Sequence, residues 1–178
     1  MSSVLQKSCP AAVLQWEEKA EYWSRITKVP TALILAFIDQ ESGGNPKAVR
    51  YEEAYCLHYR STPLGAAKLA EIRKETGIRD IEAVASYGLM QPLFTLAYGY
   101  GARSLEDLAD PSKNIRFSTA HLVSLHLKFM QIDKHGWTSD LHIQKVAGAY
   151  NGAGENSKYA KDIVTLYHKY NSYLRKGV

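Results

Sequence analysis

The feature that most constrains the fold is a seven-residue apolar run followed at once by a turn that must end a helix. Residues 32–38 have almost no polar member, so a helix built from them must be buried on all its faces. The Gly-Gly-Asn-Pro turn at residues 43–46 ends that helix, because glycine adopts the left-handed conformation at helix ends and proline cannot continue a helix. We therefore expect a globular fold whose core contains this helix.

One carboxylate, that of Glu41, falls in the last turn of the buried helix. A carboxyl group at the edge of a core beside a sharp turn is poorly solvated, and poor solvation raises its pKa toward neutrality. A general acid needs such a pKa at its working pH. Glu41 is therefore the leading catalytic candidate, and the alternative is a glutamate at a helix end that faces water.

Helical periodicity dominates the rest of the chain and predicts an all-α class with at most a small β-hairpin. Residues 45–59 fit either state, because tyrosines recur every four residues there while β-prone residues and the preceding turn favour an extended segment. We predict one helix after Pro10, residues 1–29 packing on a domain of residues 30–175, and about eight helices in all. Further helices are expected over residues 61–76, over 80–85 with Asp80 as the cap, over 92–98, after Ser104, from Asp110-Pro111, over 139–150 and around Tyr159 to Tyr170.

Composition limits the function classes. The chain has 178 residues, 46% of them hydrophobic, and a net charge of +4, which suits one soluble domain with an anionic partner such as a cell wall. No basic arm or aromatic RNA-binding motif is present, so we expect no nucleic-acid partner. No apolar segment is long enough to span a membrane. The six histidines are never three or four residues apart, so we expect no metal and no cofactor, and we expect Cys9 and Cys56 to be free thiols.

Three segments place a polar side chain beside glycine at the end of a helical run: residues 41–46, 86–92 and 149–154. Glycine lets the backbone approach a ligand closely. The amides of Gln91 and Asn151 suit the hydroxyl and amide groups of a sugar, and the rings of Tyr150 and Tyr159 suit its flat face. Each residue also has a purely structural interpretation, as a turn cap, a left-handed turn residue or a core aromatic.

Four motifs in order carry a family resemblance. They are Glu41-Ser42 with Gly43-Gly44-Asn45-Pro46, then Ser86-Tyr87-Gly88-Leu89-Met90-Gln91, then Asp110-Pro111 with Asn114-Ile115, and finally Ala149-Tyr150-Asn151 with the later Tyr159. With them, residues 30 to 170 resemble the lysozyme-like lytic transglycosylases, the soluble lytic transglycosylase family related to goose-type lysozymes. Residues 48–52 further resemble phage-type members. The chain departs from the family pattern at Pro92, Ser118, His121 and residues 152–153.

The resemblance implies a lysozyme-like fold and an enzyme that acts on the glycan strands of peptidoglycan. We expect the protein to be a monomer. It implies cleavage of the β-1,4 bond from N-acetylmuramic acid to N-acetylglucosamine by Glu41 as general acid and base, with a 1,6-anhydro product. The resemblance also implies a set of substrate-binding residues. Met90 and Gln91 would line the acid's side of the groove, and Tyr150, Asn151 and Tyr159 would hold the sugar. Ser86 would form a hydrogen bond to the substrate or to Glu41.

Two alternatives to the transglycosylase reaction stay open. Hydrolysis, as in goose-type lysozymes, needs a second carboxylate to activate water, and Glu52, Glu53 and Asp80 are candidates by chain position. A non-catalytic wall-binding or virion module would keep the groove without using the acid.

The start of the chain bears on where the protein acts. Glu17, Glu18 and Glu21 interrupt any signal-peptide pattern near the N-terminus. We therefore expect synthesis in the cytoplasm and action on the wall, as a phage protein carried in the virion or released at lysis, or as an exported effector.

Overall fold

A computed structural model of the protein describes residues 9–131 and 136–176. The described residues form eleven α-helices, one 3-10 turn at Gly136–Thr138 and one two-stranded sheet, and the predicted all-α class with a small β element is confirmed. The count exceeds eight because the first predicted helix is divided into α1 and α2 and because part of residues 45–59, the segment left open, forms α4. The elements are α1 Ala11–Leu14, α2 Glu17–Thr27, α3 Thr31–Ser42, β1 Val49–Arg50, α4 Glu53–Ser61, α5 Pro63–Thr76, α6 Asp80–Ala83, β2 Ser86–Tyr87, α7 Phe94–Gly99, α8 Leu105–Ala109, α9 Pro111–Met130, α10 Asp140–Asn151 and α11 Lys158–Leu174.

Helix α3 is the centre of the larger apolar cluster. Its residues 32–38 are all buried, and helices α1, α2 and α11 pack against it. Helix α10 packs against α9 and α11, and α9 also packs against α2. Gly43 ends the helix in the left-handed conformation, with φ 59°. The apolar run therefore folds as expected, and it carries Glu41 to the edge of this cluster.

A second apolar cluster is formed by residues from α4 to α9, with Phe94 and Phe117 among its fully buried members. Helix α9 serves both clusters, because Ile115 and Leu122 belong to the larger one. Helix α9 thus fixes the two clusters relative to each other.

Residues 45–59, whose sequence fits either a helix or an extended segment, contain one strand and most of one helix. Strand β1 pairs antiparallel with β2, with Val49 opposite Tyr87 and Arg50 opposite Ser86, and α4 begins three residues after Arg50. Tyr55 and Tyr59 lie in α4, whereas Tyr51 precedes it. Pairing with β2 holds Val49 and Arg50 extended.

Two local expectations were wrong. The helix predicted after Pro10 is broken at Gln15 and Trp16 into α1 and α2. Asp80 is the first residue of α6 and does not cap it, because its carboxylate is bound by the guanidinium groups of Arg60 and Arg73, at 2.8 and 2.7 Å.

Other expectations concern the cysteines and the membrane. Cys9 and Cys56 are both free, Cys9 half-buried and Cys56 buried. In the described ranges, none of the helices is both long and apolar enough to cross a membrane.

Candidate active site

A groove with a cavity volume of about 410 Å³ lies where the two apolar clusters meet. Its lining includes residues of α3, α9 and α10 and residues of β1, β2, α4 and α7. Five of the predicted site residues line this groove: Glu41, Ser86, Gln91, Tyr150 and Asn151. Side chains from three separate motifs are therefore gathered around one space.

Glu41 is half-buried at the end of α3. Burial raises the pKa of its carboxyl group, while a hydrogen bond from Tyr159 and the positive charge of Arg50 oppose part of that rise in pKa. The balance remains a raised pKa, so the group stays protonated closer to neutral pH than an exposed glutamate does. This is the property that a general acid requires.

Tyr159 lies outside the groove lining but touches the acid directly. It lies in the first turn of α11, whose N-terminus is capped by the hydroxyl of Ser157, and its phenol donates a hydrogen bond to Oε1 of Glu41. Burial and the nearby negative charge of Glu41 both raise the pKa of Tyr159. The phenol therefore remains a protonated donor across the working pH range.

The end of α3 is tied to the turn that carries Gln91. The hydroxyl of Ser42 donates to the carbonyl of Leu89 at 2.8 Å and to that of Ile38 at 3.2 Å. A shift of the turn would thus pull on the helix end that bears Glu41.

Gln91 has a positive φ of 50°, and its side-chain NH₂ donates to the carbonyls of Ala48 at 3.1 Å and Gly88 at 2.9 Å. These bonds make it a structural turn residue. Its Oε1 is then the group left to accept a hydrogen bond from a sugar hydroxyl in the groove. The structural interpretation therefore applies to Gln91, and its binding of a sugar stays a prediction.

Asn114 stabilises the same turn through hydrogen bonds from the core. Its side chain is fully buried in α9, where Oδ1 accepts from the N–H of Met90 and Nδ2 donates to the carbonyls of Tyr87 and Leu108. A Cβ at Gly88 would lie 2.5 Å from Asn114 Nδ2, which accounts for glycine at that position. The third motif of the resemblance thus supports the second.

Tyr150 faces the groove from α10, with its ring 4.8 Å from that of Phe37 and 5.5 Å from that of His121. Its hydroxyl donates to the carbonyl of Met90 at 2.7 Å, so the ring rather than the hydroxyl is available to a sugar. Asn151 ends α10 and is exposed on the groove.

Met90 differs from its expected role as a residue that lines the groove. Its side chain is fully buried in the larger cluster, and within the described chain it does not line the groove. The flexible thioether fills the core beneath the turn, while the backbone N–H and C=O bind Asn114 and Tyr150. Met90 therefore supports the site from the core and is not placed to contact a sugar.

Groove residues that were not predicted as site residues include Arg50, Tyr55 and His121. His121 lies beside Tyr100 and Tyr150. Glu52, predicted only as an alternative second carboxylate, lines the groove as well. Burial lowers the pKa of His121, so its imidazole is neutral at neutral pH. The resemblance of residues 48–52 to phage-type members was the available signal for Arg50 and Glu52, and nothing in the helical pattern separated Tyr55 from a core tyrosine.

The structure separates the three candidate second carboxylates. Glu52 lines the groove with Glu41 and makes an ion pair with Arg50, 2.7 Å from Nε to Oε1. Glu53 is exposed and lies outside the groove lining, and Asp80 is held by Arg60 and Arg73 in the second cluster. Only Glu52 among these three is therefore placed to act with Glu41.

An all-α domain in which a buried helix presents one carboxyl group to a polar groove belongs to the lysozyme-like class of folds. The family model described as the transglycosylase SLT domain matches residues 18–171, most of the chain. The chain therefore belongs to the SLT transglycosylase family and is a transglycosylase-type enzyme that acts on peptidoglycan. Comparison with curated proteins and with solved structures gave no match.

Proposed function

We propose that this protein is a lytic transglycosylase that cleaves the β-1,4 bond between N-acetylmuramic acid and N-acetylglucosamine and leaves a 1,6-anhydromuramyl end. The observation that carries this proposal is the half-buried, proton-retaining Glu41 beside Tyr159 at the edge of a groove lined by Ser86, Gln91 and Asn151. Family membership supplies the substrate class.

In the first step Glu41 acts as the general acid. Its proton passes to the glycosidic oxygen as the bond from C1 of the muramyl ring to that oxygen breaks, and the N-acetylglucosamine leaves as an alcohol. The N-acetyl carbonyl of the muramyl unit stabilises the positive charge that develops at C1. The carboxylate left on Glu41 is stabilised by the hydrogen bond from Tyr159 and by the charge of Arg50.

In the second step the Glu41 carboxylate acts as the base. It removes the proton from the C6 hydroxyl of the muramyl ring, O6 forms a bond to C1, and the 1,6-anhydro ring closes. No water is consumed, and Glu41 is protonated again for the next cycle. One carboxyl group therefore suffices, provided that its pKa lets it exchange a proton in both directions.

Hydrolysis is the second candidate function, and the placement of Glu52 on the groove favours it. In that reaction Glu52 would activate a water molecule while Glu41 protonates the leaving group. The ion pair with Arg50 opposes this role, because the guanidinium group already occupies Oε1 of Glu52.

The decisive experiment is digestion of purified peptidoglycan followed by mass analysis of the fragments. The proposal expects muropeptides lighter by one water than the hydrolytic products, and no such products from Glu41→Gln. The matched control is Glu53→Gln, which changes an exposed glutamate outside the groove and leaves activity unchanged.

Two results would overturn the proposal. Fragments that carry only reducing-end muramic acid would establish hydrolysis, and loss of that activity in Glu52→Gln would identify the second carboxylate. A Glu41→Gln protein that clears walls at the wild-type rate would show that the chemistry lies elsewhere, and absence of any cleavage by the wild type would favour a non-catalytic wall-binding module.

A further inference from the structure

Arg50 brings a positive charge to the groove. Among the groove-lining residues of the described chain it is the one lysine or arginine, and it shares that lining with the carboxyl groups of Glu41 and Glu52. His121, the remaining basic residue there, is kept neutral at neutral pH by its burial, which lowers its pKa. A full positive charge is therefore present at one point of the groove.

The backbone that carries Arg50 is held in place. Arg50 pairs with Ser86 across the two-stranded sheet, and the carbonyl of Ala48 accepts from the N–H of Gly88 at 2.7 Å and from Gln91 Nε2 at 3.1 Å. The side chain is then oriented by Glu52, whose Oε1 lies 2.7 Å from Nε of Arg50. The guanidinium group is thus positioned relative to the turn that bears Gln91.

The guanidinium group keeps unused binding capacity. It carries five N–H donors in a planar fork, and one carboxylate such as that of Glu52 engages at most two of them in a bidentate pair. The side chain of Arg50 is 59% exposed, so the remaining donors are open to a ligand in the groove. An ion pair this exposed contributes little to stability, so stabilising the fold does not account for a charge at this position.

The proposed substrate carries a matching group. The muramyl ring bears a lactyl ether on C3, and the carboxyl group of that ether is either free or extended by a peptide that has carboxylates of its own. Arg50 lines the same groove as Glu41, and its positive charge opposes part of the rise in the pKa of Glu41. The muramyl unit that reacts at Glu41 brings its acidic substituent into the same region.

We propose that Arg50 is a carboxylate-binding residue that selects muramyl units by the acid of their lactyl substituent, free or within the attached peptide. This inference rests on the proposed function and adds a specificity determinant to it. Glu52 orients the guanidinium group and at the same time competes with the ligand for it.

The test measures binding to a protein that cannot cleave, full-length Glu41→Gln, by isothermal titration calorimetry. Its probes are neutral chitotetraose, a GlcNAc–MurNAc tetrasaccharide with free lactyl carboxylates, and the same tetrasaccharide with its peptides. Adding Arg50→Gln is expected to weaken binding of muramyl ligands by about 3- to 10-fold and to leave chitotetraose unchanged within about twofold. Arg50→Lys retains part of the selectivity, because the charge remains but the planar fork is lost.

A second variant is expected to change the affinity for muramyl ligands in the opposite direction. Glu52→Gln removes the competing anion, so it should strengthen binding of the muramyl ligands while chitotetraose is unaffected. A merely structural role for Arg50 would instead change all three affinities together. If Arg50→Gln weakens binding of the free-acid ligand alone, the lactyl carboxylate is the group that Arg50 binds. If it weakens binding of the peptide-bearing ligand alone, the group lies in the peptide.

An equal loss of affinity for all three ligands, or no loss for any, overturns the inference. The assay requires no bond cleavage, so its failure is distinct from failure of the proposed reaction. Wild-type protein that yields only hydrolytic fragments, for example, would refute the transglycosylase step and leave the selectivity of Arg50 intact.

Discussion

The phenol of Tyr159 donates a hydrogen bond to Oε1 of Glu41 from a position 118 residues further along the chain. The contact joins the start of α11 to the end of α3 at the groove. It acts on the pKa of Glu41 in the direction opposite to burial, which is the larger influence. Burial therefore has the largest influence on the pKa of Glu41, and the phenol of Tyr159 and the charge of Arg50 lower that pKa in part.

Replacing Tyr159 with phenylalanine removes the hydrogen bond that lowers the pKa of Glu41. The pKa of Glu41 should rise further, so the alkaline limb of the pH profile of kcat/KM moves to higher pH, because that limb reports loss of the acid's proton. The carboxylate formed in the first step also loses a hydrogen bond worth roughly 1.5–3 kcal/mol, so the rate at the optimum falls about tenfold or more. Tyr22→Phe, at a half-exposed tyrosine remote from the groove lining, is the control. A limb that stays in place or moves to lower pH contradicts the assignment.

Glu41→Gln should stabilise the fold in a pH-dependent way. Burial raises the folded-state pKa of Glu41 above its unfolded value, so between the two values the native state binds the extra proton and stability falls as pH rises. The neutral amide avoids this loss. We expect the gain in the free energy of unfolding to be near zero below about pH 4 and to reach on the order of 1 kcal/mol at neutral pH.

Urea denaturation at several pH values measures this difference. Glu53→Gln should show no comparable trend, because that residue is exposed. A gain for Glu41→Gln that is constant with pH would mean that the amide stabilises by packing rather than by removing a buried charge.

The sequence predicted what depends on local pattern and failed where tertiary pairing decides. The buried helix and its left-handed end at Gly43 follow from residues 32–46 alone, and so does the position of Glu41 at the cluster edge. The place of Met90 follows from no such pattern, because a methionine in a turn is equally compatible with the groove and the core. Its packing into the larger apolar cluster decides between them.

The groove positions of Arg50 and Glu52 also depend on tertiary pairing and could not be predicted from local sequence. Residues 45–59 carry signals for both strand and helix, and pairing with β2, more than thirty residues later, decides where the strand lies. Without that pairing the side chains of Arg50 and Glu52 cannot be assigned to the groove. The helical tyrosine spacing describes only α4, which contains Tyr55 and Tyr59.

Asn114 is the residue whose loss should damage the site without touching the groove. Asn114→Ala leaves the N–H of Met90 and the carbonyls of Tyr87 and Leu108 without their side-chain partner in a buried location. Unsatisfied buried groups cost roughly 1–3 kcal/mol each, so the free energy of unfolding should fall by about 3 kcal/mol or more.

Denaturant titration gives that value, and Asn156→Ala, at an exposed position, should change it by less than about 0.5 kcal/mol. Activity of Asn114→Ala measured well below its melting temperature should also fall, because the turn that holds Gln91 loses its support. A stable Asn114→Ala protein would show that ordered water replaces the amide.

Adjacent glycines at the end of α3 offer a matched pair of substitutions. Gly43 and Gly44 both have positive φ, 59° and 86°, so alanine is strained at either position. A Cβ at Gly43 would meet nothing within 4 Å, whereas one at Gly44 would lie 2.1 Å from the carbonyl oxygen of Ala12 in α1. Trp16 adds to this contact by donating from Nε1 to the carbonyl of Gly44 at 2.9 Å.

Gly43→Ala should therefore cost only the conformational strain, about 1–2 kcal/mol, while Gly44→Ala must also displace α1 and should cost at least about 2 kcal/mol more. Denaturant unfolding of both variants gives the difference, and hydrogen exchange shows its origin. Amides of residues 11–16 should lose protection in Gly44→Ala and keep it in Gly43→Ala, since only the former pushes on Ala12. Because the same turn follows Glu41, Gly44→Ala should also lower the rate of peptidoglycan cleavage more than Gly43→Ala does. Equal losses of stability, protection and rate would mean that α1 does not brace the helix end that carries the acid.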